Sequence, residues 1–463
     1  MWFFGVSLCT ALLWSKANAT PIHDRPDIGE LSTSQIRFWA QHGPDIGVSA
    51  SQMRSWAQYQ PFIPVEEYVA PPAGCSVTQV NLIQRHGARW PTSGSGKRYS
   101  ASVVKLQSAI EFKDSKLDFL KTFVYNFGVD NLLPFGASQS SATGGELFRR
   151  YAGLVSETNP PFVRAADSQR VVDTASNWTV GFAEASQNKS IPKIDLIIPE
   201  TGNVTLDDSM CPSAEDGDAQ SEEWIAVFAP NITARLNADA PGANLTDDDV
   251  VNIMNMCPFH AIVTEAPSPF CDLFAHEEFK SYEYYNDVDK YYGTGYGNAL
   301  GPVQGVGYVN ELLARLTGKA VQDETQTNRT LDASPVTFPL NRTFYADFSH
   351  DNQMVAIYST MGLFKQTFLP NQTLDPTLPS SDRTWINSNL VPFSARMTVE
   401  KVECTTKTQG LSAGTFVRVL VNDAVQPLEF CGGVNGFCAL QDFAHSQAYA
   451  RNNGEGDFEK CFE

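Results

Sequence analysis

Arg85-His86-Gly87-Ala88-Arg89-Trp90-Pro91 places one imidazole between two guanidiniums, and Ser349-His350-Asp351 places a second imidazole beside a carboxyl. A neutral imidazole attacks phosphorus and forms a covalent intermediate. Guanidiniums fork onto phosphoryl oxygens through paired, charge-assisted hydrogen bonds, and their charge counts most as it builds in the transition state. A carboxyl next to them protonates a leaving oxygen and then activates water. These residue types therefore suit phosphomonoester hydrolysis, with His86 as nucleophile and Asp351 as proton donor. Arg85, Arg89 and Arg164 are read as phosphate ligands and His350 as a further donor. Three arginines and a protonated histidine supply the positive charge that metallophosphatases draw from cations, so neither a metal nor another cofactor is expected. Plainer roles exist for each residue: a structural histidine, arginines in surface ion pairs, or Asp351 as a helix N-cap.

The segments that would position these groups share one design. Val77–Ile83 is β-prone and runs into the Arg85 motif. Pro161–Arg164 is β-prone and precedes a helical pattern from Ser168 to Ala185. Phe344–Phe348 runs into His350-Asp351 and then a helical stretch, Met354–Met361. Strands that deliver polar residues to their C-terminal ends, followed by helices, describe an α/β sheet whose carboxyl edge binds ligand. The helix N-termini there favour an anion. Further strands are expected at Ile194–Ile198, Met397–Val402 and Phe416–Val421. The last is expected to form a hairpin with Val425–Phe430 across Asn422-Asp423. Residues 193–319 read as an inserted, smaller, mainly helical domain, with residues 57–192 and 320–463 forming the α/β domain.

The chain has 463 residues and a formal net charge of −19, which disfavours nucleic acid and anionic membranes as partners. Trp2–Trp14 is apolar, too short to span a bilayer, and is followed by Ala17-Asn18-Ala19. Residues 1–19 are read as a secretory signal, although no Lys or Arg precedes the apolar run. Eight cysteines follow it: Cys75, Cys211, Cys257, Cys271, Cys404, Cys431, Cys438 and Cys461. An even count in a secreted chain argues for four disulfides, with 105 possible pairings. Asn-x-Ser/Thr acceptors at Asn177, Asn188, Asn203, Asn231, Asn244, Asn328, Asn341 and Asn371 agree with a secreted, extracellular glycoprotein. Within residues 20–56, the stretch from Ser34 recurs from Ser51 at an offset of 17 residues. This tandem repeat reads as a local duplication or pro-segment without a catalytic role.

RHGxRxP with a late His-Asp resembles the histidine acid phosphatase family. Ala57-Gln58-Tyr59, Val163-Arg164-Ala165 with Gln169-Arg170-Val171, Lys290-Tyr291-Tyr292-Gly293, Gly301–Tyr308 and Val419–Asp423 are similar to secreted fungal phytases. The likeness runs from about residue 55 to the C-terminus. It implies a phosphoglycerate mutase-like fold, a central mixed sheet flanked by helices. It also implies disulfides Cys75–Cys404, Cys211–Cys461, Cys257–Cys271 and Cys431–Cys438. The implied substrate is a small polyanionic phosphomonoester, phytate, turned over at acid pH by a monomer. Lys97, Arg98 and Lys290 are candidates for gripping its other phosphates. Asp289 stands where relatives carry a second lysine, which weakens that grip. The alternatives are a broad-specificity secreted acid phosphatase, a phosphoglycerate mutase-like transferase, and an inactive secreted binding protein.

Overall fold

The computed structural model describes residues 46–367, 373–408 and 410–463. The expected signal, the first copy of the repeat and the Asn371 acceptor lie outside the described residues. The N-terminal half builds β1 (Cys75–Arg85), α1 (Ser93–Gln107), α2 (Pro134–Tyr151), β2 (Phe162–Ala166), α3 (Gln169–Ala185) and β3 (Ile194–Ile198). Four helices follow: α4 (Asp218–Asp239), α5 (Asp247–Thr264), α6 (His276–Gly293) and α7 (Val306–Thr317). The chain then returns with β4 (Phe344–Ser349), α8 (Asp351–Met361), β5 (Arg396–Cys404), β6 (Gly414–Val421), β7 (Ala424–Val425) and β8 (Cys438–Ala439).

The strands form one mixed sheet in the order β3-β2-β4-β1-β5-β6-β7, with β8 also pairing β6. β1, β4, β2 and β3 are parallel neighbours, while β5 to β8 add antiparallel pairs. Every residue of β2 and β4 is buried, which is why both read as short apolar runs without alternation. One face of β4 presents Phe344 and Phe348 to Trp178 of α3, with ring centroids 6.0 and 5.8 Å apart. Side chains alternate across a strand, so Asp347 points to the opposite face, where α7 lies. Burying a large apolar side chain of this kind contributes about 1.5–3 kcal/mol.

The expected division at residues 193–319 does not coincide with the packing. β3 is a strand of the main sheet, and Val306, Val309, Leu312 and Leu316 of α7 belong to its apolar core. Conversely, a second apolar core joins α4, α5 and α6 to α1 and to Ile46, Met53 and Trp56. The helical layer therefore draws its core from residues far from the insertion as well as from within it. Residues 46–56 are part of the folded body, with Met53 and Trp56 fully buried.

The expected hairpin is shorter than its sequence pattern. Its second arm stops at Val425, since Pro427 has no N–H for a ladder and Leu428 takes a positive φ of 52°. β8 occupies the edge of β6 instead. The cysteines pair as Cys75–Cys404, Cys211–Cys461, Cys257–Cys271 and Cys431–Cys438. The first bridge joins directly opposed residues of β1 and β5. Of the glycan acceptors, Asn188, Asn203, Asn231, Asn244 and Asn341 are exposed. Asn177 and Asn328 are half-buried, and Asn328 Oδ1 accepts from the Thr330 and Leu331 N–H groups.

Candidate active site

Parallel pairing of β1 with β4 sets Arg85 opposite Ser349, so the next residues, His86 and His350, leave the sheet side by side. The His86 N–H donates to the Ser349 carbonyl at 3.0 Å, and the two imidazole centroids are 5.5 Å apart. Gly87 is required here by close approach: a Cβ at Gly87 would meet the Gly136 carbonyl of α2 at 2.7 Å. The Gly87 N–H donates to Thr174 of α3 at 3.0 Å.

His86 is 1% exposed. Its Nδ1 lies 2.9 Å from the Gly87 carbonyl. A carbonyl only accepts, so Nδ1 carries the proton and Nε2 keeps its lone pair. Burial, then Arg85, Arg89, His350 and Arg170, hold this imidazole well below its ordinary pKa. That shift favours its neutral form, with the Nε2 lone pair available.

The Arg85 guanidinium is fully buried. Its Nη1 donates to the carbonyls of Gln58 and Val391, and its carbon sits 4.7 Å over the Phe393 ring. Nε and Nη2 have no hydrogen-bond partner, although Nη2 lies 3.2 Å from Asp351 Oδ2. Burial lowers the Arg85 pKa to about 10, which leaves it charged. Arg89 anchors one Nη on the Trp90 carbonyl at 2.9 Å.

Asp351 is the first residue of α8, and His350 occupies the cap position without a side-chain cap bond. The capping role for Asp351 is thus not what the fold uses. Its Oδ2 instead meets Lys290 Nζ at 3.1 Å as well as Arg85. Burial works to raise the Asp351 pKa, but the Arg85 and Lys290 charges outweigh it and hold the carboxyl well below the usual range. The carboxylate form of Asp351 is thereby favoured.

His350 Nε2 faces Glu200 Oε1 at 2.7 Å, with Asp207 Oδ2 at 3.7 Å. Burial works to raise Glu200, but hydrogen bonds from His350 and Ser168 bring it down to about 2. Among the described residues, Glu200, Asp207 and His350 are the group whose donor types suit a metal, with atoms within 4.8 Å of one another. The 2.7 Å hydrogen bond already satisfies the imidazole there. His350 Nδ1 meets Arg170 Nη2 at 3.4 Å.

Arg164 is a correction. It lies two residues inside the end of β2, opposite Asp347 of β4, and its side chain turns into the sheet's α7 face. Asp347 accepts from Nε at 2.7 Å and Glu311 accepts from Nη2 at 2.6 Å, with Arg315 completing the cluster. Only 1% exposed, Arg164 has no route to a ligand. The arginine that reaches the site is Arg170, in the first turn of α3. The signal was available: Arg170 follows a strand end as His350 and Asp351 do.

Lys97 and Arg98 are exposed on the second turn of α1, where Arg98 donates to Ser95 at 3.2 Å. Neither makes an ion pair with the groups around His86 among the described residues. Around Lys290 the sheet edge is acidic. Burial and Asp207 raise Asp208, while burial raises Asp289 against the pull of Lys290.

Residues 76–422 match the family described as the histidine phosphatase superfamily (branch 2). Phytase A of Aspergillus terreus is 44% identical over 408 residues, covering 84% of this chain and 86% of the relative. Phytase A of Aspergillus fumigatus is 41% identical over 411 residues, with the same coverage. The crystal structure of the phytase from D. castellii superposes with a TM-score of 0.70 at 25% identity. It covers 86% of this chain and 85% of that one.

Proposed function

The chain belongs to the histidine phosphatase superfamily, branch 2, and from that premise we propose that it hydrolyses phosphomonoesters, phytate foremost, through a phosphohistidine on His86. The observation that carries this reading is the buried, neutral His86. Its Nδ1 is committed to Gly87, and it is ringed by Arg85, Arg89 and Arg170 with Asp351 beside them. The relatives named Phytase A support phytate as the substrate.

The substrate phosphate enters among Arg85 Nε and Nη2, Arg89 and Arg170, whose donors take its non-bridging oxygens. His350, its ring held between Glu200 Oε1 and Arg170 Nη2, lines the same pocket. His86 Nε2 attacks phosphorus, a P–N bond forms, and the P–O bond to the leaving alcohol breaks. Asp351 passes its proton to that leaving oxygen. Water then attacks the phosphohistidine, Asp351 takes a proton from it, the P–N bond breaks, and phosphate leaves.

Asp351 is ionised before substrate binds, so it needs a proton at that moment. A monoanionic phosphate brings one, and its charge neutralises the Arg85 and Lys290 that held Asp351 down. Acid-optimal turnover follows, because a phosphate ester sheds its second proton near about pH 6.

Lys290, placed against Asp351, takes a neighbouring phosphate of a polyphosphorylated ring. The acidic Asp208 and Asp289 beside it favour a second reading, a broad-specificity acid phosphatase. Four disulfides suit an oxidising compartment and support a secreted enzyme. Among the described residues no helix is long and apolar enough to cross a membrane.

The test is phosphate release from phytate and from p-nitrophenyl phosphate between about pH 3 and about pH 7, for the parent and for His86→Ala. Radiolabelled phosphate trapped on the parent protein by an alkaline detergent quench should be stable in base and lost in acid. Release by the alanine variant equal to the parent's would sink the reading. Release with no preference for phytate would favour the broad-specificity enzyme.

A further inference from the structure

Helix α6 turns a buried polar stripe inward. Glu283, Asn286, Asp287 and Lys290 recur at the spacing of one helix face, and the first three are 4%, 2% and 0% exposed. Lys290 ends that stripe at Asp351. The remaining three side chains hold two distant segments of chain. Glu283 Oε2 accepts from the Ala57 N–H at 2.7 Å and Oε1 from the Ser388 N–H at 2.9 Å. Asp287 accepts from the Asn387 N–H at 2.7 Å and from Arg383 Nε at 2.8 Å. Asn286 Oδ1 accepts from Gln58 Nε2 at 2.8 Å, and its backbone carbonyl accepts from Asn387 Nδ2 at 2.6 Å.

Those two segments meet at Arg85. Gln58 follows Ala57, and its carbonyl takes one Nη1 hydrogen of Arg85. Val391 lies just past Ser388 and takes the other. Phe393, on the same segment, lies under the guanidinium and donates its N–H to the Gln60 carbonyl at 2.9 Å. The grip on Nη1 leaves Nε and Nη2 as the two free donors, aimed at the space beside His86 and Asp351.

We infer that Glu283 is a positioning residue for Arg85. Its carboxyl group ties Ala57 to Ser388, and with them the Gln58 and Val391 carbonyls between which the guanidinium is held. This rests on the reading of Arg85 as a phosphate ligand. The Nη1 end of the guanidinium has no carboxylate partner and is oriented by those two carbonyls, so a shift in either segment swings the free donors off the phosphoryl oxygens. Misplacement by about 1 Å costs on the order of a hundredfold in rate.

The experiment is a double-mutant cycle on the full chain, read by affinity for inorganic phosphate in titration calorimetry and by kcat/KM. Glu283→Gln loses one of the two N–H acceptors. It should weaken phosphate binding about tenfold in the parent and less than about twofold in an Arg85→Ala background. Equal losses in both backgrounds would overturn the inference, since Glu283 would then act on the fold and not through Arg85. Arg85→Ala binding phosphate as tightly as the parent would instead sink the assignment of Arg85 itself. Glu283→Asp shortens the reach and keeps the carboxyl group. It should show the same non-additivity, and it answers the question if the glutamine form fails to fold.

Discussion

Lys290 Nζ and Asp351 Oδ2 lie 3.1 Å apart, and the same carboxylate oxygen is shared with Arg85 Nη2 at 3.2 Å. Asp351 is thereby held ionised by two cations that a polyanionic substrate would also seek. Lys290→Met removes one of them. The Asp351 pKa in the substrate complex should rise, and the alkaline limb of the kcat profile should move up by about one pH unit. KM for phytate should rise about tenfold while that for p-nitrophenyl phosphate stays within about twofold. Steady-state kinetics on both substrates across the acid range checks this.

Asp351→Asn separates proton donation from binding. Phytate needs a proton on its leaving alkoxide, whereas p-nitrophenolate leaves well without one. The variant should lose about 10²–10⁴ in kcat on phytate and far less on the aryl ester. Equal losses on the two substrates would argue against Asp351 as the acid.

Arg170→Ala and Arg164→Ala should fail in opposite ways. Arg170 faces the site, so its loss should lower kcat/KM about a hundredfold at an unchanged melting temperature. Arg164 neutralises Asp347 and Glu311 in a buried cluster. Its removal strands those charges and should cost about 3–5 kcal/mol of stability. Thermal melts and kinetics on both variants decide the matter.

Stability should peak in mild acid. Asp347 and Glu200 are brought down to about 2. Their folded pKa values lie below the unfolded ones, so their contribution is present above about pH 4 and is lost as pH falls toward 2. Glu283 is pushed up to about 8 and Asp287 to about 6, in both cases by burial first. Asp287 adds to the rise at Glu283, while Arg383 and the Asn387 N–H oppose it at Asp287. The folded state therefore holds protons that the unfolded chain has released, and stability falls as pH rises from about 4 to 8. Melting temperature against pH should be bell-shaped, and Glu283→Gln should flatten its alkaline side.

Asp289→Asn should sharpen preference for the most highly charged ester. Asp289 lies in the field of Lys290 and Asp351. Removing its charge should lower KM for phytate severalfold, by an amount that salt reduces. An unchanged phytate KM would place Asp289 outside the substrate's reach.

His86, its flanking arginines and the His350-Asp351 pair were legible because they cluster where a strand ends and carry their own chemistry. Arg164 misled for a related reason. Its β-prone run is also its prison, since strand alternation turns it into the interior two residues before the edge where ligand binds. Gln58 was invisible in the repeat because what it contributes is a backbone carbonyl, which every residue type possesses. The division into layers was equally hidden. α7 and α1 exchange places relative to the linear order because pairing partners for their apolar faces lie far along the chain. No local pattern encodes that.

The pairing of β1 with β4, sealed at the far end of β1 by a bridge between residues 329 positions apart, also fixes when in its life the molecule can act. During synthesis His86 emerges early and waits for β4 and β5, its strand neighbours on either side, which are encoded in the C-terminal third. Folding is accordingly dominated by distant contacts and is slow. A fragment that ends before β4 lacks His350 and Asp351, so the centre cannot be assembled until the C-terminal third is present.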